Sequence, residues 1–121
     1  MPFRRILTEL MDSVPGSVGA VFADEEGEAV DQVSHNGDTY HVRFFGAHHG
    51  ILFDATRRAV AATDMGTPKL LEIRTEKVDY FTAYVHDGYF IVLAVEAGSP
   101  SIRAHLAMEK AIDHVREEMG Y

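Results

Sequence analysis

Apolar and polar positions follow two rhythms along this chain, and each change of rhythm marks a new element. Phe3, Ile6, Leu7, Leu10 and Val14 recur at three- and four-residue spacing, which predicts a short amphipathic helix over residues 3–13, ended by Pro15-Gly16. From Ser17 to Asp24 both alternating sets are apolar, Val18, Ala20 and Phe22 against Gly19, Val21 and Ala23. Such a strand is expected to be covered on both faces. Glu25-Glu26-Gly27 predicts a hairpin turn, and Glu28–Ser34 a more polar returning strand suited to a sheet edge. His35-Asn36-Gly37 is then a loop.

A long helix follows. Asp38 is a capping residue, and Gly66 with Pro68 is a stop signal. They frame about 26 residues, or roughly 39 Å of helix. Val42, Phe45, Leu52, Phe53, Thr56, Ala59, Val60 and Thr63 form one stripe, widened by Phe44, Ile51, Ala55 and Ala62, and this side is expected to cover the sheet. The opposite side carries Arg43, Gly46, Ala47, Gly50, Asp54, Arg57, Arg58 and Ala61. An exposed helical glycine costs about 1 kcal/mol relative to Ala. Two glycines on an outward face therefore suggest that something packs closely there, a second helix, a partner or a loop.

Beyond Pro68, Leu71, Ile73 and Thr75 alternate with Glu72, Arg74 and Glu76, which predicts a half-buried third strand with one charged side, again at an edge. Asp79–His86 and Tyr89–Glu96 read as strands joined at the hairpin signal Asp87-Gly88, the second so apolar on both faces that it belongs mid-sheet. Ser99 as cap with Pro100 at the first helical position starts a closing helix. Ile102, Leu106, Met108, Ile112, Val115 and Met119 form its apolar side. The expected architecture is an α+β sandwich in the order α-β-β-α-β-β-β-α. Its five-stranded antiparallel sheet has the first and last strands central and the second and third at the edges. The long helix covers one face and the N- and C-terminal helices the other. The outer edge of the third strand is left unpaired, which invites a second copy.

Composition narrows the possibilities. A chain of 121 residues fits one domain, 1–121, with one core. The net charge of −8 makes nucleic acid and anionic membrane poor partners. No apolar run approaches the roughly 20 residues of a membrane span. Glu9 and Asp12 interrupt the opening segment, so it does not read as a signal peptide. The absence of cysteine removes thiolate metal sites and fits a reducing compartment, so the expected location is cytoplasmic.

Seven histidines raise the question of a metal. His41 and His48 share a helix face but stand roughly 10.5 Å apart along the axis, too far for one ion without other ligands. His48 and His49 diverge by about 100° and read as packed side chains at the helix–sheet boundary or in a dimer seam. His105 and His114 fall on opposite faces of the last helix. No metal ligand set, no cofactor and no catalytic residue is therefore assigned. Gly16–Gly19 lacks the lysine and following helix of a phosphate-binding loop, and no nucleophile-bearing turn appears. Arg43, Arg57 and Arg58 near Asp54 read either as a solvated face with ion pairs worth about 0.2–0.5 kcal/mol each or as the rim of a protein interface, where Arg is enriched.

Three segments carry a family resemblance. FRRILTELMDSVPGSVGAVFADEEGEAV, LLEIRTEKVDYFTAYVHDGYFIVLAV and IRAHLAMEKAIDHVREEM, with Arg103 at a usual basic position, resemble the opening helix and hairpin, the central strands and the closing helix of the roadblock domain. That domain occurs in dynein light chains and in bacterial MglB-type regulators of Ras-like GTPases. The loop AGSPS departs from the Asn- and Gly-rich turn common there. The resemblance implies a non-enzymatic homodimer, paired through the third strand's edge and the long helix into a ten-stranded sheet. It also implies that a small Ras-like GTPase binds across the helical face, its GTP hydrolysis promoted without an arginine finger. The expected interface comprises Arg43, Ala47, Gly50, Asp54, Arg57, Arg58, Leu71, Ile73 and Thr75. The alternatives are a scaffold or adaptor with a non-GTPase partner, and a ligand- or metal-sensing domain.

Overall fold

The computed structural model describes residues 2–121. Its elements are α1 (Pro2–Ser13), β1 (Ser17–Ala23), β2 (Ala29–Ser34), α2 (Thr39–Ala61), β3 (Leu70–Arg74), β4 (Val78–His86), β5 (Tyr89–Glu96) and α3 (Ser101–Glu118). The strands form one antiparallel sheet in the order β2-β1-β5-β4-β3. The two most apolar strands thus lie inside and the two polar ones at the edges, as the pattern predicts.

Alternation along the central strands builds two cores. Ala20, Phe22, Phe81, Ala83, Ile91 and Leu93 point to the side covered by α1, through Ile6, Leu7 and Leu10, and by α3, through Ala104, Met108, Ala111 and Val115. Val21, Ala23, Phe90, Val92 and Ala94 point to the other side, beneath Val42 and Phe45 of α2. Phe22, Phe81 and Leu93 are among the largest buried side chains. Each is worth about 1.5–3 kcal/mol relative to exposure.

The helices differ from expectation in three respects. Asp38 caps α2 by accepting from the His41 N–H at 3.1 Å, but the helix ends at Ala61, well before Gly66. At the start of α3, Ser99 does not cap; its hydroxyl donates back to the Glu96 carbonyl at 3.0 Å, and Pro100 takes the capping position without a side-chain bond. The inner face of α3 is Ala104, Met108, Ala111 and Val115, while Ile102 and Leu106 are exposed. Small residues there let α3 approach α1 and the sheet together.

The two edges are built differently. In β2 the register slips between the partners of Phe22 and Ala23, a bulge at Val30. Asp31 beside it points inward under α1, where its Oδ1 accepts from Arg4 Nη2 at 2.8 Å, Arg4 Nε at 3.1 Å and the Gln32 N–H at 2.9 Å. The edge strand β3 pairs with β4 in unbroken register from Leu70 opposite Ala83 to Arg74 opposite Asp79.

Candidate functional site

The orientation of α2 decides what surface the fold offers. Its buried residues are Val42, Phe45, Gly46, His49 and Phe53. Both glycines therefore face the sheet. A side chain at Gly46 would meet Val21 Cγ1 at 2.6 Å, and one at Gly50 would meet Phe90 Cζ at 2.5 Å. This corrects the expectation of an outward face of small residues: the glycines let the helix sit close on β1 and β5. Phe44, Ile51 and Leu52, expected inside, are 52%, 68% and 46% exposed. With Tyr40, Ala55, Ala59 and Ala62 they form an apolar stripe along the outside of the helix.

The predicted interface residues separate into two groups. Gly50, Asp54 and Arg57 border a hollow shared with Glu25, Glu26 and Gly88 of the two hairpin turns. Ala47 rests on Gly27. The Arg57 guanidinium lies 4.6 Å over the Tyr84 ring, and Arg58 pairs with Asp54 at 2.6 Å on the exposed surface. Arg43 is exposed beside Tyr40 and Phe44 near the β2 edge. Leu71 and Ile73 lie elsewhere, on the α2 side of β3 opposite Thr82 and Tyr80, half-buried, with Thr75 exposed beyond them. Helix α2 lies over β1 and β2 and touches β5 and β4 more lightly. The half of this sheet face toward β3 is therefore thinly covered.

Among solved structures, a Roadblock/LC7 domain from Streptomyces avermitilis matches with a TM-score of 0.85 over 97% of both chains, at 15% identity. MglC from Myxococcus xanthus matches at 0.72 over 98% of this chain and 99% of its own, at 23% identity. Myxococcus xanthus MglB matches at 0.81 over 98% of both chains, at 10% identity. The chain has the roadblock fold. No protein-family model matches the sequence, and no curated protein does.

Within this roadblock fold His49 is the buried histidine of α2. His49 is 7% exposed, and its ring stacks on Tyr80 at 4.1 Å. Its Nδ1 has no hydrogen-bond partner. His48 is exposed against the Phe44 ring. His105 Nε2 stands 2.9 Å from Glu72 Oε1 and ties α3 to β3. Among the described residues no three His, Asp or Glu side chains gather as a metal site, and no helix is long and apolar enough to cross a membrane.

Burial, reinforced by the neighbouring His48, pushes the His49 pKa below its ordinary value of 6.5. The unfolded chain therefore takes up the proton at a higher pH than the folded one. Stability is full above about pH 6.5 and falls as the pH drops below that value toward the folded pKa. The urea midpoint is expected to fall between pH 7.5 and pH 5.5, and His49→Phe, which keeps a ring on Tyr80, is expected to make that fall shallower. An equal fall in both proteins would assign the acid sensitivity to other groups.

Proposed function

We propose that this chain is a non-enzymatic homodimeric regulator of a small Ras-like GTPase, working in the cytoplasm. One observation carries the dimer: β3 is an edge strand with unpaired backbone groups beside a thinly covered half-sheet, and α2 exposes an apolar stripe of its own. A single chain leaves this surface in water, and exposed apolar patches of this kind mark interaction sites. Leu71, Ile73 and Thr75 form the strand seam. Phe44, Ile51, Leu52 and Ala55 take the central place that Ala47 and Gly50 were expected to hold. Arg43, Asp54 and Arg58 stand at the rim, and Arg57 is held on Tyr84. The GTPase role is supported by the roadblock resemblance of the segments around residues 70–95 and 102–119 and by the fold.

The deciding measurement is GTP turnover by a small Ras-like GTPase of the same organism, with and without this protein. Acceleration is the expected result. A tight complex with unchanged turnover would make the protein an adaptor, and no binding to any such GTPase would sink the proposal.

A further inference from the structure

We infer that two copies of this chain pair β3 with β3 in a single register, with Ile73 on the two-fold axis and Glu72 of each copy opposite the partner's Arg74. This rests on the homodimer reading and adds to it the feature by which the chain recognises itself.

The free edge fixes which groups are available. The Tyr84 N–H donates to the Lys69 carbonyl, and the Thr75 N–H donates to the Val78 carbonyl. The odd-numbered residues from 69 to 75 therefore turn their backbone groups toward β4. Leu70, Glu72 and Arg74 turn theirs outward, because the direction alternates along a strand. Directly opposite residues of an antiparallel pair share a sheet face. Keeping both α2 helices on the same side then requires the axis to pass through a residue position.

Side-chain chemistry selects among these positions. An axis at Glu72 places two carboxylates directly opposite each other. An axis at Arg74 opposes two guanidinium groups and sets Glu72 against the partner's Glu76. Like charges directly opposite are destabilising. An axis at Leu71 sets Arg74 against the partner's Pro68, which has no N–H to give. An axis at Ile73 sets Glu72 against the partner's Arg74 twice, Leu71 against the partner's Thr75, and Ile73 against its own copy.

The structure already holds the two charged side chains in place. Glu72 Oε2 accepts from Arg74 Nε at 2.8 Å while Glu72 Oε1 meets His105, and Arg74 Nη1 donates to the buried Asp79 at 3.1 Å. The Arg74 side chain is still 51% exposed, so it keeps donors free for the partner's Glu72. On the other face, Ile73 and its copy close the seam between the two α2 helices.

The chain has no cysteine, so single cysteines report the register directly. In the proposed pairing the two copies of residue 73 form a non-hydrogen-bonded pair with Cα atoms about 4.5 Å apart. That lies within the range a disulfide requires. The two copies of residue 72 are then diagonal, roughly 7–8 Å apart, and outside it. Ile73→Cys and Glu72→Cys are to be oxidised mildly and followed on non-reducing gels, with sedimentation before oxidation. The expected result is a covalent dimer of Ile73→Cys forming at least about tenfold faster than that of Glu72→Cys. Preferential cross-linking of Glu72→Cys would overturn the register. A sedimenting dimer that cross-links at neither position would overturn the β3 seam, and a monomer would overturn the homodimer reading itself.

Discussion

Leucine in place of Gly46 is expected to lower the thermal midpoint by on the order of 10 °C, and the same change at Gly50 by a similar amount. Two effects oppose each other. Removing a mid-helix glycine gains about 1 kcal/mol of helix propensity. Against it stands overpacking, typically about 1–3 kcal/mol and occasionally more. The clash is with core atoms: Val21 and Phe90 are 1% and 4% exposed, and the new Cβ would stand 2.6 Å and 2.5 Å from them. A leucine adds three further carbons in the same direction, so overpacking wins. An alanine, with the clash alone, should come closer to cancelling the gain. Melting followed by circular dichroism at low protein concentration checks this. A loss that appeared only at concentrations where the protein is dimeric would place the glycines at an interface instead of in the core.

Leu52→Asp is expected to do the reverse: leave the folded chain intact and abolish its dimer. Leu52 is already half in water, so the monomer loses little. In the dimer each copy would forfeit the burial of its exposed half, about 0.7–1.4 kcal/mol, and gain a carboxylate in an apolar seam. Two copies together weaken association by about 100-fold or more. Sedimentation should show a monomer with a native circular dichroism spectrum, and any effect on GTP turnover should vanish with the dimer. A dimer that persists at micromolar concentration would remove the α2 stripe from the interface.

The strand order was readable because β1 and β5 are apolar on both faces while β2 and β3 are not, and only one arrangement places such strands inside and outside. The face of α2 was not readable by the same logic. Hydropathy ranks Phe44, Ile51 and Leu52 above Gly46, His49 and Gly50, so the helix looks inside out. What buries the glycines is distance: the helix approaches β1 and β5 too closely for a side chain. The two glycines four residues apart signalled close packing correctly, but the sequence does not say on which side. A second apolar face is expected of an element that also meets another chain, and Tyr40, Phe44, Ile51 and Ala55, at four- and seven-residue intervals, are the signal that would have revealed it. In α3 the same ambiguity arises because Ala104 and Ala111 mark the contact and the larger Ile102 and Leu106 do not.

The bulge at Val30 and the inward-turned Asp31 on β2 set a limit to growth. A sheet with two receptive edges adds chains without end, and fibres are the result. Bulges and inward charges are devices that blunt an edge. Here one edge has both, while β3 runs in straight register. In the proposed dimer, joining two β3 strands would consume the receptive edges of both chains and leave a β2 at each end, so the assembly would terminate at two copies by the way its margins are made.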